Sequence, residues 1–447
     1  MYEPIRLNKE GHLPPQFDVA HDLCFVLHDL MAQLIVDGMR AGLFHARFDA
    51  KSDDERVSLE ESESVLDWLH QTGRVEERTK VLVSMVFPAV LSDMMHCIYE
   101  ALECSRKGKL ALAFMLIRKP LQESLYVLES IFVDRLGFSG KLSDDPLKLR
   151  PQNAGGIDGH AQRIQAVLDK ISDGIRFSAE YIARLRYDKK SDDSFDGVCN
   201  KAMHLFTEHS AIRTEKLNVN FIFSDNEAMI SQWSYLYGRL PYLMLYMLSL
   251  VEHIATEFAS SSPSYRDDID RRISAYLIMT WAAMEERYRS PPINIAAALS
   301  SEWLKAHCAD NGYSHPNGYA HFDRMAKTGA FPEESEEDVK LRSSIYEQIA
   351  TYSRDRPSSA QLFERYDAGE NIPSGVMPHA VVSRIIDGTP PLKAWREHLG
   401  LTQEEMRVQM GVSRSTYQRY ERLQRLTLAV RESAAVVMGI NAAFLDP

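Results

Sequence analysis

The chain has 447 residues, of which 45% are hydrophobic and 26% charged, and its formal net charge is −12. This balance is typical of a soluble globular protein and excludes disordered and collagen-like chains. Because a single hydrophobic core rarely exceeds about 250–300 residues, we expect two or more folding units.

The sequence favours a cytoplasmic protein without a membrane partner. Its N-terminus lacks a basic stretch followed by a long apolar run, so no export signal is predicted. The most apolar window, residues 240–251, is shorter than the ~20 residues that cross a bilayer. The five cysteines are scattered and contain no C-x-x-C pair, which is typical of reduced thiols.

Apolar residues spaced three or four apart predict helices through most of the chain. The predicted helices are His21–Met39, Thr79–Glu103, Lys109–Leu136, Ser178–Arg186, Glu227–Phe258, Asp267–Arg289 and Glu336–Tyr352. Between them, the alternation in Leu217–Phe223 is compatible equally with a strand or with an extended connector. Turn signals, including Pro291-Pro292 and Asn311-Gly312, mark loops. No repeat of fixed period is present, so we expect a bundle-like region rather than a solenoid.

The composition changes after residue 355. Residues 356–377 are rich in Pro, Ser, Gly and charge, which favours an exposed linker. We therefore predict a mainly α protein in three parts: a helical region over 1–355 that senses, oligomerises or acts as an effector, a linker over 356–377, and a small domain over 378–447.

The last 58 residues differ in charge from the rest. Residues 390–447 hold eight Lys/Arg and six Asp/Glu, a net charge of +2, which leaves −14 for the remainder. Such an asymmetry allows one small surface to attract a polyanion while the bulk repels it.

Within this tail, two short helices joined by a tight turn are predicted. Thr402 and Glu405 have the spacing of a capping box, and Gly411 supplies the positive φ that ends a helix. Ser413 then caps a second helix, which runs to about Arg422 with Tyr417 and Tyr420 facing inward. Helices before and after this pair close a small core of five short helices.

The segments PLKAWREHLGLTQEEM (391–406) and GVSRSTYQRYE (411–421) resemble the Cro/C1 (XRE-type) helix-turn-helix family. The preceding residues 377–388 resemble the lead-in helix of antitoxin-like members. The resemblance covers about residues 378–447 and implies a DNA-binding transcriptional regulator, with the helix over 413–422 in the major groove of double-stranded DNA. It also implies a homodimer on a palindromic site, and a protein or small-molecule effector could act on the N-terminal region.

The resemblance also assigns the DNA-contacting residues. It places Arg414 first for base readout and Gln403 on a phosphate at the N-terminus of the preceding helix. The full predicted set is Gln403, Ser413, Arg414, Ser415, Thr416, Gln418 and Arg419. Two residues depart from the family pattern: Arg407 stands where the family usually has Ala, and Leu423 where it commonly has Gly.

Parts of the sequence are compatible with other functions. The helix pair could be a solvated face used only for oligomerisation. Arg40 and His45 have the spacing of HEPN-type ribonucleases, which would fit a phage-defence or toxin-antitoxin component with a helical effector region and an autoregulatory helix-turn-helix tail. About three such matches arise by chance in this composition. No catalytic residues, cofactor or metal site are predicted: the histidines near Cys308 lack ligand spacing, and Cys97 and Cys104 share a core-like face.

Overall fold

The computed structural model describes residues 12–46, 50, 52–208, 213–222, 224–258, 263–344, 381, 384–385, 389–423, 426–438, 440 and 442–445. Its contacts divide the chain into two compact units, one of residues 1–260 with 270–334 and one of residues 261–269 with 335–447. The fold class is mainly α, and the described residues contain no strand. The predicted linker, 356–377, lies outside the described residues.

The helices of the first unit range from 7 to 32 residues in length and follow one another closely. They are α1 (Asp18–Arg40), α2 (Asp53–Glu60), α3 (Val65–Gln71), α4 (Val75–Arg106), α5 (Leu110–Lys119), α6 (Leu125–Val133), α7 (Arg135–Asp144), α8 (Gly156–Leu168), α9 (Ala179–Tyr187), α10 (Phe195–Met203), α11 (Asn226–Tyr237), α12 (Leu240–Ala255), α13 (Pro263–Ala283), α14 (Pro291–Asp310) and α15 (Tyr319–Thr328). The first residues of α13, 263–269, are assigned to the second unit.

The core of this unit forms around α12, which is apolar on all sides. Nearly every residue from Leu240 to Val251 is buried, as expected for a helix without a polar face. It packs against α1 and α6, while α1 also packs against α4. Residues 15–40 and α4 are long and apolar enough to span a membrane, but both bury side chains such as Leu27 and Phe87 in this core.

Several predicted helices are interrupted where the sequence carries a backbone constraint. The predicted helix 227–258 is split between α11 and α12, at Gly238 and Arg239, with Pro241 in the first turn of α12. The Pro291-Pro292 pair, predicted as a loop signal, instead begins α14, because proline is tolerated in a first helical turn. The segment 217–222 is a series of turns and not a strand: Leu217 and Phe221 have φ values of +61° and +60°.

The predicted helix 109–136 contains a wide turn in its middle. Pro120–Ser124 forms a π-helical turn between α5 and α6, in which the N–H of Leu125 donates to the carbonyl of Pro120. Proline has no N–H to continue the α-helical ladder, which explains why the irregularity begins there. The carbonyls of Leu121 and Gln122 accept hydrogen bonds from Arg186 and Tyr187 instead.

Those bonds belong to a buried charge network. Glu129 and Arg186 are completely buried and form an ion pair, and Arg163 also binds Glu129 at 2.9 Å. The hydroxyl of Tyr246 donates to the same carboxylate at 2.9 Å. Burial alone would raise the pKa of Glu129, but the two arginines and the hydrogen bonds outweigh it and lower that pKa. The network therefore holds a charged carboxylate in the core.

The second unit contains a small helical core near the C-terminus. Its helices are α16 (Pro391–His398), α17 (Gln403–Gln409), α18 (Arg414–Tyr420) and α19 (Leu428–Met438), followed by a 3-10 turn (Ala442–Leu445). The side chains of Trp395, Met406 and Tyr417 are buried together at the centre of this core. The predicted arrangement of five short helices is confirmed.

Candidate nucleic-acid interface

Helix α17 begins as its sequence predicts. The N–H of Glu405 donates to the hydroxyl of Thr402 at 3.1 Å, and the N–H of Thr402 donates to the Glu405 carboxylate at 2.7 Å. These reciprocal bonds satisfy two backbone donors that a helix start leaves free. The bond from the Thr402 N–H, with a second from the Thr402 hydroxyl at 2.8 Å, lowers the pKa of the Glu405 carboxyl group.

The turn between α17 and α18 is short and sharply defined. Gly411 has a φ of +66°, a conformation that costs a residue with a Cβ considerably more. Ser413 then caps α18 and accepts the N–H of Thr416 at 3.2 Å. Its hydroxyl also lies 3.0 Å from the hydroxyl of Ser415 and 2.8 Å from that of Thr416. The start of α18 thus carries three clustered hydroxyls, with that of Ser413 bonded to the other two.

Helix α18 has a buried face and an exposed face. Tyr417 is 1% exposed and Tyr420 packs partly against the core. On the opposite face Ser415 and Arg419 are exposed, and Gln418 is partly exposed. At the start of the helix Ser413 and Arg414 are exposed and Thr416 is partly exposed. Six of the seven predicted contact residues therefore lie together on or beside this helix with their side chains at least partly accessible.

The seventh, Gln403, is engaged elsewhere. Its amide donates to the carboxylate of Glu421, which is 5% exposed at the end of α18. The same carboxylate is paired with Arg396 of α16, whose guanidinium also donates to the carbonyl of Leu401 at 2.8 Å. Burial lowers the pKa of Arg396, but the bond to Glu421 outweighs burial and raises that pKa overall. Glu421 thus joins α16, α17 and α18.

This arrangement decides the charge of the exposed face. Within residues 413–423, Arg414, Arg419 and Arg422 are exposed, whereas the acid of that segment, Glu421, is buried and paired. Two acids on α17 are exposed: Glu404 is bonded to Arg407, and Glu405 accepts from Thr402. The bond to Arg407, together with the charge of Arg414, lowers the pKa of Glu404. The face of α18 is therefore cationic and is bordered by one neutralised ion pair.

A comparison with protein families matches residues 392–443 to a helix-turn-helix model of the Cro/C1 (XRE) type. Residues 392–443 form a Cro/C1-type helix-turn-helix domain. Such domains are typical of DNA-binding regulators. The match is confined to this C-terminal segment. No curated protein and no solved structure matches the chain.

Sequence reasoning found the helix-turn-helix residues but missed those that hold the two helices in place. Glu421 and Arg396 are 25 positions apart, so no local pattern predicts their pairing. Of the two departures from the family pattern, Arg407 points outward into its pair with Glu404, and Leu423 is exposed, with its N–H donating to the carbonyl of Tyr420 at 3.1 Å. Most of the lead-in segment 377–388 lies outside the described residues.

The alternative sites gain no support from their placement. Arg40 ends α1, and His45 follows it on the surface with its Nδ1 3.2 Å from the carbonyl oxygen of Gly42. In the described structure no hydrogen bond or ion pair joins these two side chains. No cluster of three or more metal-ligating side chains occurs among the described residues. Cys97 and Cys104 are half-buried, and burial raises the pKa of both thiols.

Proposed function

We propose that this protein is a sequence-specific DNA-binding transcriptional regulator that places α18, with its flanking residues over 413–422, in the major groove of double-stranded DNA. The observation that carries the proposal is the exposed cationic face of α18 within a Cro/C1-type domain. A face with several arginines and hydroxyls and no free carboxylate matches what phosphates and base edges accept.

The residues of this face are proposed to make different kinds of contact with DNA. Arg414, exposed in the first turn of α18, reads a base edge, because arginine can bind guanine through two hydrogen bonds. Arg419 binds phosphate, and the partly exposed Gln418 adds a further donor. The hydroxyls of Ser413, Ser415 and Thr416 bind phosphate or base edges in place of the bonds that join the Ser413 hydroxyl to the other two.

Gln403 is proposed to serve the interface in a second way. Because its amide is bonded to Glu421, it fixes the start of α17 beside the end of α18. The remaining capacity of the amide, together with the free N–H groups of the first turn, can bind one phosphate. The protein acts in the cytoplasm as a homodimer on half-sites about one helical turn apart, and an effector acts on the large helical unit.

The proposal is tested by selecting bound sequences from random duplex DNA and then measuring the affinity for the selected site at several salt concentrations. We expect Arg414→Ala to lose about 1–3 kcal/mol of discrimination at one base pair. Arg419→Ala should weaken binding to all sequences and reduce the salt slope by about one unit.

The matched control changes two exposed arginines of the large unit, Arg56→Ala with Arg150→Ala, which alters the net charge as much as the double variant Arg414→Ala with Arg419→Ala. If both double variants bind DNA equally well, or if the unaltered protein selects no sequence, the proposal is wrong.

A further inference from the structure

A cavity of about 220 Å³ lies in the large helical unit, far along the chain from the DNA-binding domain. It is formed by the start of α1, the end of α11 and the end of α13 with the turn that follows. The residues that define its chemistry are Phe17, Tyr237, Thr280, Met284, Glu285 and Tyr288. Water takes up about 30 Å³ in the liquid, so the cavity is too large for one water or a bare ion. It is also smaller than most drug-sized sites, which occupy about 300–1,000 Å³.

The walls of the cavity are mainly aromatic and apolar. The rings of Phe17 and Tyr237 stack with centroids 6.0 Å apart. The hydroxyl of Tyr237 is already bonded to Nδ1 of His21 at 2.7 Å and to the hydroxyl of Ser105 at 2.8 Å. Tyr237 therefore offers a ligand its ring and not its hydroxyl. Met284 adds a side chain that can adapt to the shape of a ligand.

Two polar groups in the cavity wall can orient a bound ligand. The carboxylate of Glu285 is 43% exposed, and it accepts from Ser234 at 3.2 Å and from Arg287 at 2.9 Å. A carboxylate has about four acceptor positions, so further donors can still bind it. At the other extreme, Thr280 is 3% exposed, and its hydroxyl has no hydrogen-bond partner among the described residues. A buried hydroxyl without a partner costs stability, which a ligand can recover.

Glu285 is the one charged residue among the described residues that line the cavity, and the nearby arginines Arg239 and Arg287 lie over the ring of Tyr288. Asp18 and Asp22 of α1 are close enough to raise the pKa of Tyr237, although burial contributes more to that shift. The described lining itself carries the Glu285 carboxylate and no basic side chain, so an anionic ligand is disfavoured. An ammonium group is favoured by the Glu285 carboxylate.

We propose that this cavity binds a small molecule with an aromatic or apolar body and one amine group, the body lying against Phe17 and Tyr237 and the amine at Glu285. That the bound amine changes DNA binding rests on the proposed function, whereas the binding itself does not.

The test titrates the full-length protein with tryptamine, 2-phenylethylamine and benzylamine, and with phenylacetate as an anion of similar size, by ligand-observed NMR and calorimetry. We expect saturable binding of at least one amine and none of phenylacetate. Glu285→Gln should weaken amine binding about tenfold, because the amide oxygen still accepts a hydrogen bond but no longer carries a charge. Met284→Trp, which fills the cavity, should abolish binding, and thermal unfolding of both variants checks that they are folded.

If none of the three amines binds, or if Met284→Trp binds as well as the unaltered protein, the cavity is not an amine site. DNA binding is measured on the same samples with and without the amine. Amine binding without any DNA binding would contradict the proposed regulator function but support the amine site. DNA binding without amine binding would support the regulator function and contradict the amine site.

Discussion

At the residue scale, the domain depends on one buried carboxylate. Glu421 binds Arg396 and Gln403 at once, and the side chains of Glu421 and Arg396 are only 6% and 12% exposed. Because water has little access to these two side chains, it cannot take the place of either partner. The orientation of α18 relative to α16 and α17 is therefore set by a side chain that does not face DNA.

We predict that Glu421→Ala destabilises the helix-turn-helix domain by about 3 kcal/mol, because Arg396 loses its buried counter-charge and keeps only its ion pair with the exposed Glu397, at 3.3 Å. Hydrogen exchange of peptides within 392–443 measures this loss. The double variant Arg396→Met with Glu421→Leu should recover much of the stability, since neither charge remains buried. Unchanged exchange in Glu421→Ala would show that the pair contributes nothing.

At the element scale, what the sequence could predict was local. The capping box of Thr402, the positive φ of Gly411 and the cap at Ser413 are each decided within four residues, and all three were found. The three-helix contacts of Glu421 were missed, because they join positions far apart in the chain. In the large unit, periodicity located α1 and α4, but the wide turn at Pro120 was missed and the alternation in 217–223 remained ambiguous.

The cap of α17 offers a quantitative check at this scale. Thr402→Ala removes the acceptor of the Glu405 N–H and should cost the domain about 1 kcal/mol. Thr402→Ser keeps the hydroxyl and should cost much less. Protection of the amides in α17 against hydrogen exchange separates the two variants, and equal protection in both would mean that the cap does not stabilise the helix.

At the scale of the whole molecule, buried histidines make the large unit sensitive to acid. Burial, with the nearby Arg163 and Arg186, lowers the pKa of His160 to about 3, and burial with the nearby Arg106 lowers that of His21 to about 4. Both are neutral in the folded protein near pH 5, whereas in the unfolded chain a histidine titrates near pH 6.5. The unfolded state thus binds more protons below about pH 6.5, and the stability present above that pH is lost as the pH falls.

We expect each of the two histidines to remove about 2 kcal/mol of unfolding free energy between pH 7 and pH 5. Urea unfolding at a series of pH values measures the slope. The ring of His160 stacks on that of Tyr187 with centroids 3.5 Å apart. His160→Phe keeps a ring at this position and should reduce the slope by about half. His204→Phe, at an exposed position, serves as the control. An identical slope in His160→Phe and the unaltered protein would contradict this account.

The wide turn at residues 120–124 has a consequence for how the large unit can evolve. Each residue of an α-helix rotates the chain by about 100°, so the register of everything after the turn depends on the number of residues within it. Deleting one residue there would restore a regular helix but would swing Glu129 away from Arg186 and return the carbonyls of Leu121 and Gln122 to the backbone. Substitutions at exposed positions of this segment are therefore tolerable. An insertion or a deletion would displace all members of the buried charge network at once.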